Sequence, residues 1–439
     1  MPGSKSRTRA RGERRPSRAQ REAELVSAAI EAAPSDVTDV CVVGGGAAGL
    51  VAAIVAAEEG ASVVVLEAEL ECGRSILATG NGRCNFSTVR LDPQRYNDPE
   101  FVRATFGQRP LDDVLGFFRD CGLRWSLEDD RLYPLSRQAA SVRNVLLARA
   151  RRAGVRLACG RRLVALEPRD DGWRLRFEAR WDAGRRGELR AQTVVLATGG
   201  TNSVGGGALT DDLGLERRPL SPALCPVACE DSPLSLLDGR RAQVDLSLVR
   251  DDDLLPCWHE RGELLFRDYG ISGIVTFDLS RRARPGDWAL VDLVPDHGVS
   301  ELRQIVGMDP EPGCLDGVLD PEVARLLERL ARERWDPGAP QLGPAPRDDD
   351  VDWLVHLTKQ LPLRITGLVA QKGAQVCQGG LQNRQFDPQS LRCETYPSLL
   401  ACGEALDVDG DCGGLNLSWA WKSGLVAGRS AAEAARKAG

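Results

Sequence analysis

The sequence is poor in the residue types on which most metal sites depend. It has 3 histidines in 439 residues, and His259, His297 and His356 lack the spacing of a metal site. Its 13 cysteines include no Cys-x-x-Cys pair and no Cys/His cluster with zinc-binding spacing. We therefore expect no metal site, and we interpret the cysteines as reduced cytosolic thiols.

Long apolar runs and an excess of positive charge are also absent. No run of 18 apolar residues occurs, so we expect no membrane-spanning segment and no membrane partner. Lys and Arg number 57 against 63 Asp and Glu, and the net charge of −6 gives no general attraction to nucleic acid. These features predict a cytoplasmic protein that acts on a small molecule, and they leave its oligomeric state open.

Arginine is concentrated at the amino terminus. The Arg14-Arg15 pair is followed by a stretch that is too short and too polar for an export signal. The composition instead predicts a disordered basic tail over residues 1–36. A contact of this tail with RNA or another acidic surface is the single nucleic-acid interaction that the sequence leaves open.

A glycine-rich turn joins a predicted strand to a predicted helix. The apolar run at 40–43 leads into Gly44-Gly45-Gly46-Ala47-Ala48-Gly49, helical periodicity follows, and a second apolar run occupies 62–66. Gly44 allows the tight turn, Gly46 lets the backbone approach a pyrophosphate, and Gly49 lets the helix pack on the strand. The pattern predicts a βαβ unit whose helix begins at the phosphates of a dinucleotide.

An acidic residue closes the second predicted strand. Glu67 is placed to accept hydrogen bonds from ribose hydroxyls, and its charge argues against NADP at this site. An NAD-binding domain would continue with further βα units, whereas residues 71–85 are glycine-rich and basic. Gly82 would let the backbone pass close to a ligand, and Arg74 or Arg83 can meet the charge of a diphosphate. The first half of the chain therefore favours FAD over NAD.

Four segments resemble a bacterial flavoprotein family that includes BaiN-type reductases and proteins labelled aminoacetone oxidases. They are residues 42–67, the Thr79-Gly80-Asn81-Gly82-Arg83-Cys84-Asn85 loop, the Ala197-Thr198-Gly199-Gly200 turn, and residues 403–410 with 413–424. The resemblance implies an FAD-dependent oxidoreductase. It also implies an α/β fold, with a Rossmann-like domain of the two-dinucleotide-binding-domain flavoprotein type and an inserted β-barrel with a helical subdomain. The run at 201–207 is shorter than in the family, so we transfer no contacts from it.

The implied domain plan follows the strand and helix patterns. We expect a flavin-binding domain at 37–215, an inserted barrel and helical domain at 216–370, and the rest of the flavin-binding domain at 371–439. Alternation at 156–181 predicts a β-meander. In the insert, 241–249 and 288–293 are expected strands, and 322–333 and 351–361 are expected helices.

The expected FAD site combines both ends of the chain. Glu404 is expected to bind the ribityl chain, Leu163 to contact adenine through its backbone, and the helix that begins near Gly414 to stabilise reduced flavin. Cys84 is either a redox or substrate-contacting thiol or, as we favour, a small packing residue. The full predicted set is Gly44, Gly45, Gly46, Ala47, Ala48, Gly49, Glu67, Ala68, Arg74, Gly82, Arg83, Cys84, Leu163, Ala197, Thr198, Gly199, Gly403, Glu404, Gly414, Asn416 and Leu417.

Three functions remain open from the sequence. The first is an NAD(P)H-linked reductase of an activated C=C bond, the second an FAD-dependent oxidase of a small amine, and the third a non-catalytic FAD protein that engages RNA or a protein. No second strand-linked G-x-G-x-x-G is found, so NAD(P)H either binds transiently over the flavin or does not bind. Asp407 and Asp409 are read either as proton donors or as turn caps, and no catalytic residue is assigned.

Overall fold

A computed structural model describes residues 17–182, 184–200, 206–250, 253, 255–307, 311–369 and 376–438. The helices are α1 Arg18–Glu31, α2 Ala47–Glu58, α3 Arg74–Ala78, α4 Pro99–Phe106, α5 Pro110–Asp120, α6 Ala139–Arg152, α7 Gly206–Asp211, α8 Ile274–Ser280, α9 Val299–Val306, α10 Pro321–Arg332, α11 Asp350–Lys359 and α12 Leu415–Ala438. The strands are β1 Val37–Val43, β2 Val63–Leu66, β3 Ser87–Thr88, β4 Trp125–Glu128, β5 Arg131–Pro134, β6 Arg156–Ala158, β7 Arg161–Arg169, β8 Gly172–Ala179, β9 Arg186–Leu196, β10 Arg217–Ala223, β11 Val227–Cys229, β12 Arg241–Val249, β13 Pro256–Arg267, β14 Gly270–Ser272, β15 Trp288–Asp292, β16 Leu361–Leu368, β17 Val376–Leu381 and β18 Leu399–Ala401.

The largest sheet is parallel at its centre. Its order is β6-β2-β1-β9, with β18 paired to the end of β9, and every one of these pairings is parallel. Residues 40–43 of β1 and all of β2 are buried, as expected for strands that are covered on both faces. Strands β7, β8 and β9 form an antiparallel meander on the same sheet. The predicted Rossmann-like α/β unit and its meander are confirmed.

A helix from the amino-terminal part of the chain packs against the carboxyl-terminal helix. Helix α12 lies against α2, which begins at the predicted phosphate turn. A Cβ atom on Gly424 or Gly428 would lie 2.6 Å from the backbone oxygen of Ala48 or Ala52 respectively. The two backbones can therefore approach this closely because both positions of α12 lack a side chain. This contact fixes the carboxyl-terminal segment beside the glycine turn.

The second unit is a closed barrel with its own core. Strands pair in the order β11-β14-β13-β12-β15-β16 and close on themselves, while α9, α10 and α11 contribute leucine and valine side chains to the same buried cluster. The predicted barrel with a helical subdomain is confirmed. The expected helix at 351–361 is wrong at its end, because Leu361 already pairs with Val291 of β15 and Pro362 cannot continue a helix. The domain boundaries at 215 and 370 stay a prediction.

The predicted disordered tail is wrong over part of its length. Helix α1 begins after Ser17, whose side chain accepts a hydrogen bond from the Gln20 backbone while the Gln20 side chain accepts one from Ser17. This reciprocal cap satisfies two backbone N–H groups that would otherwise lack partners, and Ala29 is buried. The charged composition of this segment did not indicate the capping motif. The remainder of the predicted tail, residues 1–16, lies outside the described residues.

None of the helices in the described ranges has both the length and the apolar character that crossing a membrane requires.

Candidate flavin site

The glycine turn has a geometry that side chains would block. Gly44 has φ +105°, and a Cβ atom there would lie 2.3 Å from the Ala197 carbonyl oxygen. A Cβ atom on Gly49 would lie 1.9 Å from the Gly44 carbonyl oxygen. Gly46 then caps α2 without a side-chain hydrogen bond, so the first N–H groups of the helix, at Ala47 and Ala48, are left for an anion. The turn therefore has the two properties that a pyrophosphate requires, close backbone approach and free donors.

Glu67 lies against this turn. Its Oε2 accepts a hydrogen bond from the Gly45 backbone N–H at 2.7 Å, and its Oε1 accepts one from Glu69 N–H at 2.8 Å. Burial raises the pKa of the Glu67 carboxyl, and the backbone donors oppose that shift. Each carboxylate oxygen keeps a further lone pair for a ribose hydroxyl. Ala68 follows directly, and Leu163 is buried on β7, which begins next to the end of β6.

The Thr79–Asn85 loop meets the late glycines in space. Gly414 has φ +97°, and a Cβ atom there would lie 2.8 Å from the Ser87 carbonyl oxygen and 3.0 Å from Asn85 Oδ1. Asn85 Oδ1 is buried and accepts no hydrogen bond from any described residue. A buried acceptor without a donor costs about 1–3 kcal/mol. A ligand that donates a hydrogen bond here would remove that cost.

Glu404 connects the late segment to the turn after β9. A Cβ atom on Gly199 would lie 3.9 Å from Glu404 Oε2, and the Cys377 backbone N–H donates to Glu404 Oε1 at 3.4 Å. Burial raises the pKa of Glu404 to about 7. A cavity beside this carboxyl is lined by Thr198, Gly199 and Glu404 among other residues.

Gly403, the residue before Glu404, fits closely against the start of α2. A Cβ atom on Gly403 would lie 2.8 Å from Ala48 Cβ, and the Gly403 N–H donates to Ser423 Oγ at 3.0 Å. The predicted segments from both ends of the chain therefore surround one region.

The residues of this site fit the chemical groups of FAD. A helix N-terminus with uncapped donors suits the pyrophosphate, Glu67 suits the ribose, and the buried Asn85 oxygen beside Gly414 suits a donor group of a ring or polyol. These features come from three separate parts of the sequence. Their convergence at one sheet edge is what a long, two-ended cofactor requires.

Comparison with known proteins gives the same answer. The sequence model for the HI0933-like protein Rossmann domain matches residues 38–430. The chain belongs to this HI0933-like family. It is 34% identical over 415 residues to the 3-dehydro-bile acid delta(4,6)-reductase of Clostridium scindens, covering 89% of this chain and 98% of that protein. It is 23% identical over 403 residues to the ribosomal RNA dihydrouridine synthase of Escherichia coli, covering 88% of this chain and 96% of that protein.

Among solved structures, the open conformation of a flavocytochrome c3 fumarate reductase matches with a TM-score of 0.47 and 16% identity, covering 94% of this chain and 81% of that one. Family membership together with the site identifies FAD as the cofactor and this HI0933-like chain as an FAD-dependent oxidoreductase. Both expectations from the sequence are confirmed.

Several predicted contact residues have protein partners in this HI0933-like chain. Arg74 is largely exposed and pairs with Glu69, and Arg83 is exposed with its guanidinium 5.1 Å from the Tyr133 ring centre. Cys84 is fully buried, and burial raises its pKa to about 11, as expected of a thiol that serves for packing. The roles of these side chains toward FAD stay predictions.

The side chain of Asn416, a predicted cofactor-binding residue, bonds to the loop that precedes α12. Asn416 accepts a hydrogen bond from Gly410 N–H at 2.8 Å and donates one to the Gly410 carbonyl at 2.7 Å. This pair holds the loop that precedes the helix. Leu417 is half-buried and packs on the main core. Gly82 has φ +81°, and a Cβ atom there would meet no heavy atom within 4 Å.

A buried ion cluster joins the barrel to the flavin-binding segment, and no sequence motif predicts it. Arg281, directly after α8, pairs with Asp409 at 2.6 Å and also with Asp411. Arg282 and Arg95 pair with Asp411 at 2.9 and 3.1 Å. Asp409 was expected to be a proton donor or a turn cap, and it is an ion-pair partner here. The cluster brings together residues that lie far apart in the sequence, so no local pattern could reveal it.

A second carboxyl belongs to the same region. Asp278 of α8 is 2% exposed, and its Oδ1 accepts a hydrogen bond from the Cys412 backbone N–H at 2.5 Å. Burial, followed by the charge of Asp411, raises the pKa of Asp278 to about 7. The shift favours the protonated form of this carboxyl. It faces the loop that leads into Gly413 and Gly414.

Proposed function

We propose that the protein reduces a C=C bond conjugated to a carbonyl group in a small organic molecule, with NAD(P)H as the source of electrons. The observation that carries this proposal is the relative of 34% identity, a 3-dehydro-bile acid delta(4,6)-reductase that aligns over 98% of its length. A substrate of enone type, such as an unsaturated 3-oxo steroid, follows from that name.

The chain's own residues would bind and orient the cofactor. The N-terminus of α2 and the Gly44–Gly46 turn would hold the phosphates, Glu67 the ribose of the adenosine, and Glu404 the ribityl hydroxyls. FAD held by these residues would supply the hydride-transfer chemistry that the reduction needs. Helix α12 begins beside Asn85, and the positive end of its dipole would favour negative charge at that point.

Reduction of a C=C bond also needs one proton. Asp278 is a described carboxyl that could hold it, because it is buried where the barrel meets the Cys412–Gly414 loop and, like that of Glu404, its pKa is raised to about 7. We propose it as the proton source for the second carbon of the double bond.

The test is an anaerobic titration of the holoenzyme. NADH and NADPH are added separately while the absorbance of oxidised flavin is followed, and an unsaturated 3-oxo steroid is then added to the reduced enzyme. We expect one nucleotide to bleach the flavin and the enone to restore its absorbance. Bleaching by aminoacetone, with no response to either nucleotide, would contradict the proposal and favour an amine oxidase.

A second candidate has its own support. The Escherichia coli relative is a ribosomal RNA dihydrouridine synthase, and dihydrouridine is uridine whose conjugated C=C bond has been reduced. Residues 1–21 of this chain contain eight Lys and Arg against one acidic residue, which would suit a phosphate backbone. The same reduced enzyme is therefore offered unmodified ribosomal RNA, and the RNA is assayed for dihydrouridine. Flavin reoxidation by RNA that is lost on deleting residues 1–16 would favour this candidate over the steroid-like substrate.

A further inference from the structure

Two thiols that are far apart in the sequence lie next to each other beside the cofactor turn. Cys72 Sγ and Cys159 Sγ are 3.5 Å apart, although 87 positions separate them. Strand β2 pairs in parallel with β6, with Leu66 opposite Ala158, so the segments that follow both strands leave the sheet side by side. The sequence showed no dithiol spacing, because this pair is created by strand pairing.

We propose that Cys72 and Cys159 form an oxidisable dithiol, and that its conversion to a disulfide weakens the binding of FAD. Hydrogen peroxide is the oxidant. The Cys159 sulfur attacks one peroxide oxygen, the O–O bond breaks, and a sulfenic acid and water form. The Cys72 sulfur then displaces the hydroxyl group as a second water. Overall, two thiols lose two electrons and two protons, and one peroxide becomes two waters.

The surroundings give the two sulfurs different roles. Cys159 is partly exposed, whereas Cys72 is 2% exposed, so peroxide reaches Cys159 first. The Cys72 and Cys159 sulfurs are within hydrogen-bond distance, and this hydrogen bond lowers the pKa of Cys159 and raises that of Cys72. A partly exposed cysteine with a lowered pKa and a neighbouring thiol is the arrangement found in peroxide-responsive cysteines.

We expect closure of the disulfide to disturb the cofactor turn. A disulfide S–S bond is about 2.05 Å long, so the sulfurs have to approach by roughly 1.5 Å. A Cβ atom on Gly45 would lie 2.4 Å from Cys72 Sγ, and the Gly73 N–H donates to the Gly45 carbonyl at 2.7 Å. Gly45 N–H in turn donates to Glu67. Movement of Cys72 therefore shifts the backbone that approaches the pyrophosphate and the carboxylate that faces the ribose.

A hydrogen bond near Cys159 also connects the cysteine pair to the cofactor site. The Arg161 N–H donates to the Glu67 carbonyl at 2.7 Å, two residues after Cys159. Both cysteines are thus within two residues of a hydrogen bond to Gly45 or Glu67. The effect on FAD does not depend on which substrate the enzyme reduces.

The test uses the reduced full-length holoprotein. It is treated with a slight excess of hydrogen peroxide, remaining thiols are alkylated, and peptides are mapped by mass spectrometry. We expect a peptide pair linked through Cys72 and Cys159, together with a several-fold rise in the Kd for FAD that dithiothreitol reverses. Absence of the linked peptide, or oxidised protein that binds FAD as tightly as reduced protein, would overturn the proposal.

Matched variants separate this pair from other thiols. Cys159→Ser keeps the size of the partly exposed residue and should make FAD binding insensitive to peroxide. Cys257→Ser removes an exposed cysteine on β13 and should leave the peroxide response unchanged. If Cys159→Ser loses FAD on oxidation as the unaltered protein does, another thiol is responsible and the proposal is wrong. The peptide map of the unaltered protein tests the proposal without requiring that any variant folds.

Discussion

At the scale of single residues, Glu67 carries the clearest link between the sequence pattern and the site. It was expected at the end of a strand, and it is found there with one oxygen bonded to the Gly45 N–H of the phosphate turn. One carboxylate therefore both orders the turn and offers lone pairs to the ribose. The glycine spacing likewise predicted the turn to which Glu67 bonds.

We predict that Glu67→Gln weakens FAD binding by about tenfold to a hundredfold, since hydrogen bonds to a charged acceptor are worth about 1.5–3 kcal/mol. Fluorescence titration of the apoprotein with FAD measures the effect. The matched control is Glu69→Gln, whose carboxylate pairs with the half-exposed Arg74 and Arg180. Equal losses in both variants would mean that Glu67 has no special role.

The raised pKa of Asp278 leads to a prediction about how the unfolding free energy depends on pH. Its pKa in the folded protein is about 7, above the unfolded value of 3.8, so folding favours the protonated form. The stability that this proton contributes is complete below about pH 4 and is lost as the pH rises through about 7. We expect the difference in unfolding free energy between the unaltered protein and Asp278→Asn to fall across this range, on the order of a few kcal/mol. Urea unfolding of both proteins at about pH 4.5, 6 and 8 measures this difference in unfolding free energy. A difference that stays flat with pH would show that Asp278 is ionised throughout.

At the scale of elements, patterns within one segment were predictable and pairings between segments were not. The βαβ unit and strand β12 follow from local periodicity, and the bounds of β12 match the expected strand. Helix α1 was not predicted because its charged composition resembles that of a disordered segment, although the Ser17–Gln20 cap is a local helix signal. The Cys72–Cys159 pair arises from the register of β2 on β6, which no local pattern encodes.

The packing of α12 on α2 leads to a prediction with a built-in control. A methyl group at Gly428 would lie 2.6 Å from the Ala52 backbone oxygen, so Gly428→Ala must push the helices apart. We expect it to lower the unfolding free energy by about 1–3 kcal/mol, as overpacking does. Gly116→Ala, in the interior of α5 with no heavy atom within 4 Å, should instead stabilise the protein by about 0.5–1 kcal/mol. Thermal unfolding of both variants is the measurement, and a neutral Gly428→Ala would show that the helices can separate freely.

At the scale of the whole molecule, the family resemblance supplied what local patterns could not. The barrel with helices was expected from it and is present as β11 to β16 with α9 to α11. What it did not supply is how the barrel is attached to the flavin-binding unit. That attachment includes a cluster of charges in which Arg281 and Asp409 are 4% and 1% exposed. Buried charges of this kind depend on one another, since each would be costly alone.

Arg281 is therefore where the attachment of the barrel to the flavin-binding segment can be tested. Arg281→Met would leave Asp409 without its ion-pair partner and Asp411 with Arg95 and Arg282 alone, and removing one partner of a buried pair costs about 3–5 kcal/mol. We expect a lower thermal midpoint and faster proteolysis between the two units. Arg261→Met breaks an exposed pair with Asp296 and should change the unfolding free energy by less than about 1 kcal/mol. Because Asp278 and the Cys412–Gly414 loop adjoin the cluster, Arg281→Met should also weaken FAD binding, whereas Arg261→Met should not. Retention of both stability and FAD affinity in Arg281→Met would show that the barrel is held in place by its apolar contacts alone.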